Sequence, residues 1–133
     1  MNLINKIAAS KQIFGCLDAV IPLVIKQLAN ETGPIIFIAR DDARMSRIEV
    51  GLQCFSDQIE CLSLPAWDCL PYDRVSAHST ITAKRIQTLS HLSVLNQTDH
   101  QKPFIVLTPV NGWLQTLPPL SFFTSSSLRL RAG

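Results

Sequence analysis

Two short apolar runs constrain the fold of this chain more than any other feature. They read PIIFIA at residues 34–39 and PFIVLT at residues 103–108, and polar residues do not alternate with the apolar ones in either run. An uninterrupted apolar run of this length is typical of a strand that is covered on both faces, as in a parallel sheet between helices. Both runs are therefore predicted to be buried strands.

Segments with helical periodicity surround these two strands. The spacing of apolar residues predicts helices over about 18–30, 41–55 and 80–96, and a third strand over 59–64. A short helix is expected within TPVNGWLQTLPP, which follows the last strand and ends at a proline pair. The alternation of helices and strands predicts a three-layer α/β domain with a mostly parallel sheet and helices on both faces.

Particular residues are expected to begin and line these helices. Asp18 is a candidate cap of the first helix, and Pro22 limits how early that helix can start. Either Asp41 or Asp42 can cap the second helix. The apolar positions predicted to face the core are Ile21, Val24 and Leu28 in the first helix, Met45, Ile48, Leu52 and Phe55 in the second, and Ala83, Ile86, Leu89 and Leu92 in the third.

Length and composition indicate one domain with an unusually apolar make-up. The chain has 133 residues, of which 47% are hydrophobic and only 17% are charged. This excess is typical of a domain whose surface is covered by another domain, and also of a parallel sheet that is buried on both faces. The formal net charge of +2 argues against a strong nucleic-acid footprint, which needs clustered Lys and Arg. Arg129 and Arg131 alternate with leucines and are interpreted as one face of an edge strand.

The cysteine pattern predicts reduced thiols and no zinc site. Cys16, Cys54, Cys61 and Cys69 form no CxxC pair, and the three histidines show no ligand spacing relative to them. The N-terminus lacks the sustained apolar core of a signal peptide, so the chain is expected to be cytoplasmic and without a membrane segment.

The segment before the first helix predicts that no nucleotide binds there. In sheets of this kind a phosphate usually lies on a Gly-rich turn that leads into a helix. The corresponding segment, KQIFGCLDAV, contains only Gly15, the chain has no GK[ST] sequence, and Asp18 stands near the place of a phosphate-binding lysine. A carboxylate there would repel a triphosphate.

Two other constellations suggest chemistry, but each has a simpler structural interpretation. Asp41 and Asp42 follow a buried strand and could hold a metal, yet helix capping explains both carboxylates. Ser76, Ser79 and His78 could supply a nucleophile and a base, but no G-x-S-x-G elbow is present and a surface or capping histidine is favoured.

The stretch LPAWDCLPYDRVSAH, residues 64–78, is the strongest candidate for a functional surface. Pro65 and Pro71 stiffen the loop that carries Trp67 and Tyr72. The two aromatic residues either anchor an interface or fold back on the edge of the sheet, and the sequence leaves both interpretations open. Phe104 and Trp113, by contrast, are expected to lie in the core.

Residues 64–92, LPAWDCLPYDRVSAHSTITAKRIQTLSHL, resemble the N-terminal region of the bacterial transcription-repair coupling factors, the Mfd family. Looser similarity on both sides extends the resemblance to nearly the whole chain. The sequence departs from the family pattern at Ala77, Thr80, Lys84 and Ile86, which puts the cap of the third helix in question. The matching residues, to which Arg74 is added as a candidate interface residue, are Pro65, Trp67, Asp68, Leu70, Pro71, Tyr72, Asp73, Ser76, His78, Ile81, Arg85 and Leu89.

The resemblance implies a UvrB-like, RecA-like lobe whose P-loop-type nucleotide site has degenerated. It implies that ATP, double-stranded DNA and RNA polymerase bind to later domains of a much longer chain, and that UvrA is recruited mainly through the domain that follows. On this view the lobe is a scaffold that packs against the remaining domains of its own chain and has no catalytic, cofactor or metal residues. The end at LRLRAG, which has no obvious cap, is typical of a piece of a longer protein. The alternatives are a part of UvrB or another nucleotide-dependent helicase, and a small stand-alone enzyme that uses Ser76 and His78.

Overall fold

The computed structural model describes residues 14–55, 59–69, 74, 76–95, 103–119 and 121–123, with Phe55 described by its backbone alone. Helices and strands alternate along the chain in the predicted order, close to the predicted positions. The predictions for Phe55, Leu70, Pro71, Tyr72, Asp73, Arg129 and Arg131 concern side chains or residues outside this described part. The elements are α1 (Ile21–Thr32), β1 (Ile35–Ala39), α2 (Asp42–Phe55), β2 (Glu60–Ser63), α3 (Ser79–Leu95), β3 (Phe104–Pro109) and α4 (Val110–Trp113).

The three strands form one parallel sheet in the order β1-β3-β2. Val106 of the central strand lies opposite Ile36 on one side and Leu62 on the other. The chain crosses from β1 to β2 by way of α2 and returns to β3 by way of α3. Because these crossovers run in opposite directions across the sheet, crossovers of the same hand place α2 and α3 on opposite faces. The predicted α/β class with a parallel sheet is confirmed.

The larger core lies between the sheet and the helix pair α1 and α2. Met45, Ile48 and Leu52 of α2 are all buried in it, as their spacing predicts. Ile25 and Ala29 of α1 complete the helical side of this core. The strands contribute Ile35, Phe37 and Ala39 from β1, Ile105 and Leu107 from β3, and Cys61 from β2, with Ile59 just ahead of it.

The opposite face of the sheet is only partly covered. Leu62, Val106 and Leu95 form a smaller core between this face and α3, with Leu92 and Phe104 packed against it. Strand β3 is buried from Ile105 onward, as predicted. The same prediction is wrong for β1, where Ile36 is 54% exposed and Ile38 is 44% exposed. The reason is that β1 lies at the edge of the sheet, and α3 contacts the strand at the other edge.

Helix α1 starts without the predicted aspartate cap. Its N-cap is Val20, which makes no side-chain capping bond, and Pro22 lies in the first turn, where its missing N–H costs no helical bond. Asp18 lies two residues ahead of the cap, and its carboxylate pairs with arginines of α2 instead. At the other end Gly33 adopts φ +90° and donates its N–H to the Ala29 carbonyl, a conformation that favours glycine.

The predicted apolar stripe of α3 is wrong at Ala83 and Ile86. Ala83 is exposed and Ile86 is 51% exposed, whereas Leu89 and Leu92 are half-buried. The buried positions of this helix are Arg85, Thr88, Ser93 and Leu95, most of them polar. Arg85 and Thr88 donate to carbonyl groups at the free edge of β2, for which apolar side chains would offer no hydrogen-bond donors. Ser93 donates to the Ser90 carbonyl of its own helix, and Leu95 lies in the smaller core.

A close contact between α1 and α2 requires glycine at position 51. A Cβ atom added at Gly51 would lie 2.6 Å from Cγ of Pro22, which is buried. Proline cannot move its ring away, so the helices themselves would have to separate. Gly51 therefore sets how closely these two helices approach each other.

We expect Gly51→Ala to destabilise the chain although alanine is the better helix former. Alanine gains roughly 1 kcal/mol in helix propensity, whereas overpacking costs about 1–3 kcal/mol. Urea unfolding of the variant would measure the balance, with Gln53→Ala, at an exposed position of the same helix, as the control. A double-mutant cycle with Pro22→Ala should show positive coupling. Equal or greater stability of Gly51→Ala would contradict this packing.

Candidate functional site

The segment after β2 runs along the carboxyl end of the sheet. Leu64 N–H donates to the Leu107 carbonyl at 2.7 Å, which extends the pairing with β3 by one residue. Leu64 and Ala66 are both buried. The start of the 64–78 stretch is therefore part of the folded core.

Trp67 lies between a buried arginine and an open groove. Its backbone N–H donates to Gln115 Oε1 at 3.0 Å, and its ring is half-buried. The Arg85 guanidinium lies over the ring, 4.6 Å from its centroid, in a cation–π contact. Of the two interpretations left open by the sequence, the structure therefore supports packing of Trp67 on its own domain, while part of the ring still lines the groove.

Arg85 links α3 to the same segment. Its side chain is 1% exposed, and Nη1 donates to the Pro65 carbonyl. Burial lowers the pKa of the Arg85 guanidinium from its ordinary value. One turn along the helix, Thr88 Oγ1 donates to the Ser63 carbonyl at 2.6 Å. Arg85 and Thr88 thus bind two carbonyl groups at the free edge of β2.

The other end of the stretch is closed by Asp68 and His78. The backbone N–H of His78 lies 3.2 Å from Asp68 Oδ1 and donates to this carboxylate. The His78 ring then caps α3: Thr80 N–H donates to Nδ1 at 3.4 Å, with the Thr80 hydroxyl oxygen 2.8 Å from Nδ1. The predicted capping role of His78 is confirmed, and Thr80, a departure from the family pattern, takes part in the cap.

Asp41 caps α2, as predicted. Its Oδ1 accepts the Arg44 N–H at 2.7 Å, and its Oδ2 lies 2.9 Å from Arg40 Nε. These two hydrogen bonds hold the pKa of Asp41 below its ordinary value of 3.8, and the bond from the Arg44 backbone N–H has the larger effect.

Among the described residues no group of three or more His, Cys, Asp or Glu side chains could hold a metal. None of the described helices is long and apolar enough to cross a membrane.

The groove beside Trp67 opens onto an exposed apolar surface. It has a volume of about 840 Å³ and is lined by residues of the 64–78 stretch and of the segment after β3, including Ala77, Asn111 and Leu114. Leu114 is 78% exposed and Trp113 is 51% exposed. The prediction that Trp113 lies in the core is wrong, because the single turn of α4 buries Gly112 and turns Trp113 outward.

A polar cluster on the other side of β2 was not predicted from the sequence. Glu49 of α2 accepts a hydrogen bond from the Ser63 hydroxyl and lies 3.3 Å from Lys84 Nζ of α3. Burial, with a smaller contribution from Glu49, raises the pKa of the nearby Cys61 thiol to about 11, so this thiol is neutral at pH 7. Residues separated by 14 and 35 positions give no local signal that could reveal such a cluster.

The remaining candidate residues divide between described and undescribed positions. Ser76 and Ser79 are exposed, and Arg74 is also exposed. Leu70, Pro71, Tyr72 and Asp73 lie outside the described residues, so the prediction that Tyr72 joins Trp67 in one surface stays a prediction.

Comparison with known proteins supports the resemblance read from residues 64–92. No protein-family model matches the chain. It is 30% identical over 111 residues to the transcription-repair-coupling factor of Escherichia coli K12, which is 84% of this chain and 9% of the relative. The chain is a relative of the transcription-repair-coupling factors. It is 29% identical over 112 residues to the factor of Haemophilus influenzae, and 30% identical over 76 residues to that of Rickettsia prowazekii.

These relatives are much longer than the chain. The matched region is 84% of this chain but 9% of the Haemophilus influenzae factor. For the Rickettsia prowazekii factor it is 57% of this chain and 6% of the relative. The similarity therefore concerns one region of a long coupling factor.

We expect Arg85→Lys to destabilise the chain by about 1.5–3 kcal/mol, the range for hydrogen bonds to charged groups. Lysine lacks the planar fork that both stacks on Trp67 and reaches the Pro65 carbonyl. Urea unfolding would measure the loss, and the fluorescence of Trp67 in a Trp113→Phe background would report its altered surroundings. Arg47→Lys, at a 59% exposed ion pair, is the control and should cost less than about 1 kcal/mol. Unchanged stability and fluorescence of Arg85→Lys would exclude this role.

The Asp41 cap should make α2 sensitive to acid. A carboxyl group whose folded pKa is lowered stabilises the fold above its ordinary pKa, and this contribution disappears as the pH falls through the folded value. We therefore expect Asp41→Ala to lower the melting temperature at pH 7 and to differ less from the wild type as the pH falls below 3.8. Asp42→Ala, which leaves the cap in place, is the control. A wild-type advantage that persists at the lowest pH would argue against a charged cap.

Proposed function

We propose that this chain is a scaffold lobe of a transcription-repair coupling factor and catalyses no reaction itself. The observation that carries the proposal is its 30% identity over 111 residues to the Escherichia coli transcription-repair-coupling factor. In this role the lobe positions a neighbouring module that recruits UvrA to stalled RNA polymerase during nucleotide excision repair. ATP-driven movement on double-stranded DNA belongs to later domains of the full protein, which acts in the cytoplasm.

The contacts of the family-pattern residues support a structural role. Trp67 and Arg85 stack on each other, and Asp68 and His78 close a loop and cap α3. A catalytic base needs a free acceptor within hydrogen-bond reach of a substrate proton. His78 Nδ1 is engaged by the Thr80 N–H and hydroxyl, so this nitrogen caps α3 instead of serving as the base of a stand-alone enzyme.

The segment before α1 supports a lobe without a nucleotide. Asp18 lies just before α1, where a phosphate-binding loop of a RecA-like lobe would have positive charge. Its carboxylate pairs with Arg44 and Arg47, so it adds negative charge and occupies these two arginines. This arrangement also argues against the alternative of an active UvrB-like helicase with an intact phosphate loop.

Exposed apolar side chains support packing against other domains of a long chain. Ile36 and Ile38 leave one face of β1 uncovered, and Trp113 and Leu114 are exposed beside the Trp67 groove. Exposed apolar side chains in groups like these are typical of a surface that another domain covers.

The test compares UvrA capture by this chain with capture by a version that is extended through the following domain. We expect the extended version to retain UvrA and the 133-residue chain to retain little, because the recruiting surface belongs to the neighbouring module. Trp67→Ala in the extended version is a useful variant, and it should weaken UvrA capture only through loss of fold stability. Calorimetry with ATP should show no saturable binding to the short chain.

Two outcomes would overturn the proposal in different ways. Equal capture of UvrA by the short chain would mean that the lobe itself carries the recruiting surface. Saturable ATP binding at micromolar concentration would mean that the site before α1 is active, and the lobe would then be more than a scaffold.

A further inference from the structure

The turn before α1 is tied to α2 by one carboxylate and two arginines. Arg44 Nη2 lies 2.8 Å from Asp18 Oδ1, and Arg47 Nη2 lies 3.5 Å from Asp18 Oδ2. Each guanidinium group therefore approaches a different oxygen of the same carboxylate. Two convergent arginines are a common arrangement for binding an oxyanion, and here the anion belongs to the chain itself.

One further donor of the Arg44 guanidinium group is not used by Asp18. Arg44 Nε is buried and has no hydrogen-bond partner in the described part of the chain. A buried donor without an acceptor is unfavourable, and native structures usually satisfy such groups. A carboxylate has two oxygens, whereas a tetrahedral oxyanion has four and could serve this donor as well as both guanidinium ends.

One member of the arginine pair, Arg44, also borders a cavity, and the ion pair itself is partly exposed to solvent. Arg44 lines a cavity of about 550 Å³ together with Gly15 and Cys16 of the turn and apolar residues of α1 and β1. Arg47 is 59% exposed and Asp18 is 42% exposed, so the ion pair is accessible from solvent. The two guanidinium ends are therefore accessible from solvent, and the Asp18 carboxylate occupies them.

We propose that Arg44 and Arg47 form an oxyanion-binding pair, and that the carboxylate of Asp18 occupies this pair in the folded chain. The ligand class is a small tetrahedral oxyanion such as inorganic phosphate. The pair binds a free oxyanion only when the Asp18 carboxylate is removed. This inference does not depend on the scaffold function, because it concerns only the contact between the turn and α2.

The test measures binding of inorganic phosphate to the 133-residue chain and to Asp18→Ser. Titration calorimetry at low ionic strength, and melting temperature in phosphate against chloride of equal ionic strength, are the two measurements. We expect no phosphate-specific effect on the wild type, and both saturable binding and a rise in melting temperature for Asp18→Ser. Adding Arg44→Gln should weaken that binding by about tenfold or more, the equivalent of one hydrogen bond to a charged group.

Two further variants make the result decisive. Asp42→Ser removes another carboxylate near the start of α2, and it should not create phosphate binding if the effect is specific to Asp18. If Asp18→Ser fails to fold, as judged by circular dichroism, Asp18→Asn preserves the side-chain volume, removes the negative charge and should bind phosphate where the wild type does not. The proposal would be overturned by a folded Asp18 variant that shows neither phosphate binding nor a phosphate-dependent rise in melting temperature. It would also be overturned by a wild type that binds phosphate equally well.

Discussion

The structure depends most on how helix α3 satisfies the free edge of β2. Leu64 N–H bonds to β3, so the carbonyls of Ser63 and Pro65 point away from the sheet. Thr88 and Arg85, one turn apart on α3, donate to these two carbonyls. Buried carbonyl groups without donors would cost roughly 1–3 kcal/mol each, and an edge strand without such cover is prone to pair with other chains. The helix therefore completes hydrogen bonding that no fourth strand supplies among the described residues.

This one contact fixes the position of the whole carboxyl end of the sheet. Arg85 also supports the ring of Trp67, and the Trp67 backbone N–H holds Gln115 beyond α4. A Cβ at Gly112 would lie 3.2 Å from the Ala66 N atom, so α4 packs closely on the same segment. Residues from β2, α3 and α4 thus form one connected set, and Pro65, Trp67 and Arg85, which match the coupling-factor pattern, belong to it.

The sequence predicted the features that depend on local spacing. The stripe of α2 and its Asp41 cap were found because one helix face and one residue determine them. The buried face of α3 was missed, because apolar periodicity gives no weight to Arg85 and Thr88, whose burial depends on carbonyls twenty or more residues away. Asp18 was misjudged for the same reason, since its partners lie on another helix. Strand order, which leaves β1 at an edge, is likewise a property of the assembled sheet.

The apolar composition of the chain has two sources, and the structure separates them. Strand β3 is buried on both faces from Ile105 onward, which accounts for part of the hydrophobic excess as an ordinary feature of a central parallel strand. Another part is exposed and includes Ile36 and Ile38 on β1, and Trp113 and Leu114 after β3. Burial inside one domain cannot explain these side chains, whereas contact with other domains can. Ile36 and Ile38 lie on β1, at the edge of the sheet opposite to β2, so a neighbouring domain that covered them would leave the Arg85 and Thr88 contacts intact.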